Sequence, residues 1–161
     1  MNKVKIEFDA IPQNEAFARM AISGFIMYLD PTINDMADIK TAVSEAVTNS
    51  IIHGYDNKGG KIFLNAEIEE KKLHIEVVDR GSGIDNVEKA RKPLYTTKPH
   101  EERSGLGFTV MEAFMDYLEV ISEVGEGTTI IMEKQLSINY VSSKEQMIKK
   151  PMKLFSKKTK D

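Results

Sequence analysis

Apolar residues recur at helical spacing along residues 39–55, IKTAVSEAVTNSIIHGY, where Ile39, Val43, Ala46, Val47 and Ile51 form one stripe. On the same stretch Glu45, Asn49 and His53 stand four apart, so they stack on a second face, each one turn from the next. A carboxylate, a carboxamide and an imidazole on a largely buried helix need partners, because an unpaired buried polar group costs about 1–3 kcal/mol. From this helix alone, mutual capping and a shared site are equally good accounts.

The pattern elsewhere predicts a mixed α/β domain. Residues 3–8 alternate charged and apolar, the signature of a half-buried strand. Pro12 and Asn14 mark a turn, and residues 15–29 read as a helix with Phe17, Ala21, Phe25 and Tyr28 on one side. Asp30-Pro31 ends it, because the residue before a proline disfavours the α region. Thr32 or Asn34 can then cap the central helix, expected to begin near Asp35. After the DNKGG turn, residues 61–68 and 72–78 read as a hairpin, with Leu73, Ile75 and Val77 facing one way and His74, Glu76 and Val78 the other. Residues 85–91 suggest a short helix or turn, and residues 118–122 and 128–133 are the last two strands.

Size and charge narrow the class. The 161 residues suit one domain, and 41% hydrophobic with 29% charged residues leaves material for a core and a solvated surface. No run approaches the ~18 apolar residues of a membrane span, and the first ten residues lack the apolar stretch of a signal peptide, so a cytoplasmic location is expected. There is no cysteine and only three scattered histidines, which excludes thiolate chemistry and disfavours a structural zinc. Residues 142–161 carry seven lysines against two acids, a net of +5, so the rest carries −8 of the overall −3. An acidic body argues against direct nucleic-acid binding. Residues 137–161 are expected to form a solvated tail outside the domain of residues 1–136.

Chemistry concentrates after the second hairpin strand. Asp79 closes that strand and opens DRGSG, so a carboxylate is followed by Gly81 and Gly83. Such glycines permit a sharp turn and close approach of a flat ligand to backbone. Residues 92–105 hold two prolines, two threonines and five charges without an apolar period, and read as a long functional loop. Gly105-Leu106-Gly107 leads from that loop into a helix, an arrangement that offers free N–H groups and the positive end of the macrodipole to an anion. Thr128 puts a hydroxyl at the start of the final strand. Glu15 and Arg19, four apart on the first helix, read from pattern as an exposed ion pair worth about 0.3–0.5 kcal/mol.

Taken in chain order, Asn49, Asp79 with its glycines, the Gly105/Gly107 helix start and Thr128 resemble the motif series of the GHKL (Bergerat-fold) ATPase/kinase superfamily, which includes gyrase and the histidine kinases. The stretches LDPT (29–32), SEAVTNSIIHGY (44–55) and PLYTTKPHEERSGLGFTVMEAFMD (93–116) are similar to the anti-sigma F factors of endospore-forming bacteria, a family of serine kinases. The likeness covers residues 3–136, and Leu106 stands where the family more often has Met.

The resemblance implies a two-layer α/β sandwich, with a mixed, mostly antiparallel sheet and helices on one face. It also implies a homodimeric, ATP-dependent anti-sigma factor that binds a sporulation sigma factor and phosphorylates a serine of a small anti-anti-sigma protein. ATP or ADP and Mg²⁺ are the implied cofactors. By the same likeness Glu45 is the general base, Asn49 ligates Mg²⁺, His53 lies on the nucleotide face, and Asp79 accepts from the adenine amino group. Gly81 and Gly83 admit the base, Gly105, Leu106 and Gly107 cradle phosphates, and Lys98 and Arg103 clamp them. Thr128 bonds near the adenine–Asp79 pair, and Glu15 and Arg19 belong to the partner-binding surface. Three alternatives stay open: a related kinase of general stress control, an ATP-gated sigma-binding module without phosphotransfer, and a histidine-kinase ATPase module.

Overall fold

The computed structural model describes residues 1–95 and 105–137. Strand β1 (Asn2–Asp9) leads through a turn to helix α1 (Gln13–Ile26), which ends in a 3₁₀ turn, Met27–Leu29. Helix α2 (Ile33–Asn49) follows and runs directly into a π-helical turn, Ser50–Gly54. The hairpin strands are β2 (Lys61–Glu69) and β3 (Lys72–Asp79). A short α3 (Val87–Ala90), then α4 (Gly107–Phe114), β4 (Tyr117–Glu123) and β5 (Gly127–Gln135) complete the domain.

The strands form one sheet in the order β1-β2-β3-β5-β4. The sequence suggests a mixed, mostly antiparallel sheet; instead every pairing among the described residues is antiparallel. Alternation in β2 and β3 sends Ile62, Leu64, Ala66, Ile68, Leu73, Ile75 and Val77 to one face, where all are buried. Ile39, Ala42, Val43, Ala46 and Val47 of α2 and Ala18, Ile22 and Ile26 of α1 meet them. The other sheet face, with His74 and Glu76 on it as expected, carries no helix among the described residues.

Two local expectations change. The buried face of α1 is Ala18, Ile22 and Ile26, whereas Phe17 and Tyr28 are exposed. Both stripes have helical spacing, and size misleads: the small and β-branched residues face α2, where the helices pack closely. Phe17 keeps one aromatic contact, edge-on to Phe8 with centroids 5.9 Å apart. The central helix begins two residues before Asp35, because Thr32 is its cap and accepts from the Asp35 N–H at 3.2 Å.

The end of the sheet remote from Asp79 is tied by a buried cation. Lys134 of β5 reaches Asp38 at 3.1 Å and Asp35 at 3.8 Å, and donates to the Phe114 carbonyl at 2.7 Å. Asp35 also accepts from the Ser137 N–H at 2.7 Å. One side chain therefore joins the last strand to the start of α2 and the end of α4. Replacing Lys134 by Ala leaves Asp35 buried without its cation, so urea unfolding should show a loss of about 3 kcal/mol; a loss below about 0.5 kcal/mol would mean the network is not structural.

Candidate active site

The π-helical turn explains why the polar face of α2 ends where it does. Its wider i→i+5 closure, with the Tyr55 N–H donating to the Ser50 carbonyl at 2.9 Å, adds a residue to the turn. This brings Gly54 against the end of β3. A Cβ at Gly54 would lie 2.9 Å from Asp79 Oδ1, and one at Gly81 would lie 2.1 Å from the Gly54 carbonyl oxygen. Two bare backbones therefore cross beside the Asp79 carboxylate, where no side chain fits. The crossing is stitched by the Ser82 N–H to the Gly54 carbonyl at 2.8 Å and by the Ser82 hydroxyl to the His53 carbonyl at 3.0 Å.

Asp79 is 4% exposed and multiply bonded. Its Oδ2 accepts from the Ser50 hydroxyl at 2.8 Å. Its Oδ1 accepts from the Gly81 N–H at 3.0 Å and the Thr128 N–H at 3.3 Å. Burial raises its pKa above the ordinary 3.8, and the bonds from Ser50, Gly81 and Thr128 pull it back. The Thr128 hydroxyl itself pairs with Ser122 at 2.8 Å, and Ser122 also accepts from the Ile84 N–H at 2.8 Å.

A cavity of about 640 Å³ opens beside this carboxylate. Of the residues singled out by sequence, Asn49, His53, Asp79, Gly83, Gly105, Gly107 and Thr128 line it. Glu45, Gly81 and Leu106 are not among the lining residues. Gly81 is instead the crossing point with Gly54. Glu45 sits just behind the wall: a Cβ at Gly107 would stand 3.1 Å from Glu45 Oε2 and 3.3 Å from Asn49 Oδ1. The first residue of α4 thus rests on both α2 side chains, and a side chain there would require them to give by a few tenths of an ångström. Lys98 and Arg103 lie outside the described residues.

The lining also includes Lys58, Lys89, Arg91 and Lys92, a cationic group that sequence reading passed over. They come from a turn and from α3 and its flank, with no motif to mark them. Lys89 stands over the Tyr95 ring at 5.2 Å, and Arg91 is ion-paired with Glu112 of α4. Ser50 was missed for a different reason. A serine after Asn49 in a helical run carries no pattern, and its partner lies 29 residues away.

Glu15 and Arg19 are away from this cavity. They form the expected ion pair at 2.7 Å, and Glu15 also accepts from the Ser44 hydroxyl, one residue before Glu45. The pair is therefore joined to α2 as well as to solvent.

Residues 11–134 match the histidine kinase-like ATPase domain family. An anti-sigma F factor of Clostridium beijerinckii is 56% identical over 138 residues, covering 85% of this chain and 96% of that protein. One of Clostridium perfringens is 58% identical over 137 residues, covering 84% of this chain and 98% of that protein. Among solved structures, the RsbU and RsbW domains of Rv1364c from Mycobacterium tuberculosis superpose with a TM-score of 0.63 at 22% identity, covering 86% of this chain and 33% of that one. The full-length ShkA structure in complex with AMPPNP gives 0.53 at 16% identity, covering 77% of this chain and 30% of that one. Both structures speak to fold alone. The chain belongs to the anti-sigma F factor family, within the histidine kinase-like ATPase-domain proteins.

Proposed function

We propose that this protein holds a sporulation sigma factor as an ATP-dependent homodimer and releases it under control of a small anti-anti-sigma protein, which it phosphorylates on serine. The observation that carries the enzymatic part is the meeting of Glu45 and Asn49 at Gly107, beside a cavity that also exposes the Asp79 carboxylate. The names and identities of the curated relatives support the sigma-factor part. Among the described residues no helix is long and apolar enough to cross a membrane; a cytoplasmic site of action suits a partner of RNA polymerase.

The cavity suits a purine nucleotide. Asp79 offers an acceptor to an exocyclic amine and would oppose the carbonyl oxygen that guanine presents at the same position. Lys89 and Lys92 bring positive charge to the cavity, where Lys58 is paired with Asp56 and Arg91 with Glu112, and α4 begins at Gly107 beside Glu45 and Asn49. Bound Mg·ATP would supply the transferable phosphoryl group and the metal that neutralises its charge. Asn49 provides one neutral oxygen for that metal, which suits an ion that keeps waters and phosphate oxygens as its other ligands. Among the described residues no cluster of three His, Cys, Asp or Glu is placed to hold a metal unaided.

Glu45 accepts the proton of the attacking serine hydroxyl, so that the oxygen can form its bond to phosphorus as the bond to ADP breaks. Glu15 and Arg19, tied to Ser44, offer a partner a charged contact on the same helix pair.

Incubation of the protein with labelled Mg·ATP and its anti-anti-sigma partner should give acid-stable label on that partner. Glu45→Ala should lower the rate at least ~100-fold, and Asn49→Ala should abolish transfer. Normal transfer in either variant overturns the assignment of roles. Absence of label in the parent protein, with sigma binding intact, reduces the function to a nucleotide-gated binding module.

Asp79 gives a separate test on stability. Its folded pKa lies above its unfolded value, so the folded state binds the proton more tightly. The favourable contribution of this group is present below about pH 3.8 and is lost as pH rises through the raised folded value, leaving a buried charge as a cost at neutral pH. Asp79→Asn removes that charge. At pH 7 the apo variant should melt no lower than the parent, whereas the increase in Tm on adding Mg·ADP should vanish. A variant that melts lower and still responds to Mg·ADP contradicts both halves.

A further inference from the structure

Serine and threonine hydroxyls inside helices ordinarily bond back to the carbonyl four residues earlier. Among the described residues Ser23 does so to the Arg19 carbonyl at 2.6 Å, and Thr41 to the Ala37 carbonyl at 2.9 Å. Ser50 does not. It is 2% exposed, it starts the π-helical turn, and it spends its hydroxyl on Asp79 Oδ2 at 2.8 Å. Ser50 does not line the cavity; Asp79 does.

An ionised carboxylate has about four acceptor positions. Among the described residues the protein fills two on Oδ1, from Gly81 and Thr128, and one on Oδ2, from Ser50. The two backbone bonds fix Oδ1. Without Ser50 nothing described would hold Oδ2, and the carboxylate could turn about the bond to its Cβ. With Ser50 in place a single acceptor position is left, of defined direction, on the oxygen that is not committed to backbone.

We propose that Ser50 is a positioning residue for base selection: it holds the Asp79 carboxylate turned so that its one remaining acceptor position meets a single N–H of the 6-amino group of the bound purine. The role rests on the nucleotide-binding reading of the cavity and adds to it the residue that sets its discrimination. Ser50 touches no ligand and acts wholly through Asp79. The same bond also offsets part of the effect of burial on this carboxyl, so its removal favours the protonated form, which presents a donor where the amine needs an acceptor.

The test is calorimetric titration of the full chain and of Ser50→Ala with ADP and with the diphosphate of purine riboside, which lacks the 6-amino group, over a pH series. Ser50→Ala should bind ADP about tenfold more weakly and the purine analogue within about twofold of the parent. The pH below which ADP affinity falls should move upward in the variant. Ser50→Thr, which keeps the hydroxyl, should restore the discrimination. Equal weakening for both ligands, or an unmoved pH midpoint, would overturn the proposal and leave Ser50 as packing. Failure of the parent protein to bind ADP at all would overturn the nucleotide reading beneath it, and that result is visible before any variant is made.

Discussion

Everything about the site depends on holding one carboxyl group in place in the interior. Asp79 is almost wholly buried at the end of β3, and an isolated charge there would cost several kcal/mol. Among the described residues no cation is bonded to it. Three hydrogen bonds from three segments do the work: the π-helical turn after α2, the turn after β3 and the start of β5. That choice matters for a nucleotide site. A lysine or arginine on Asp79 would saturate the acceptor; neutral donors leave part of it available.

The surrounding architecture can be understood as the set of conditions those bonds impose. Gly54 and Gly81 cross with no room for a side chain, because the π-helical turn must come within reach of the strand end. The antiparallel pairing of β3 with β5 sets Thr128 directly opposite Asp79. Lys134, near the other end of β5, is held by α2 and α4 acids and carbonyl, which fixes the strand lengthwise against the same helix that supplies Ser50. The helix start at Gly107 then closes on Glu45 and Asn49 from the other side.

Much of this was legible in the sequence, and the exceptions have physical causes. Alternation found the hairpin to within a residue or two, since burial on one face of a strand leaves a strict mark. The face bearing Glu45 and Asn49 was visible from spacing, as was Asp79 from its glycines. The orientation of α1 was not: large residues suggested the core, yet close helix packing selected Ala18, Ile22 and Ile26. Gly81 was read as a ligand contact, although the space it saves is taken by the Gly54 carbonyl. The switch from α to π geometry at Ser50 and the bond it enables depend on a partner distant in sequence, and no local period reports such a bond.

The sheet order has a consequence for how the protein becomes competent during synthesis. Strand β5, although last in the chain, occupies an interior position between β3 and β4. The bonds to Asp79 reach 29 residues back and 49 residues forward in sequence. A nascent chain that has emerged only as far as β4 therefore has α2 and the hairpin but lacks the strand that completes the carboxylate's environment. A chain that ends before β5 lacks the Thr128 bond to Asp79 and leaves the β3 edge, where β5 pairs, open.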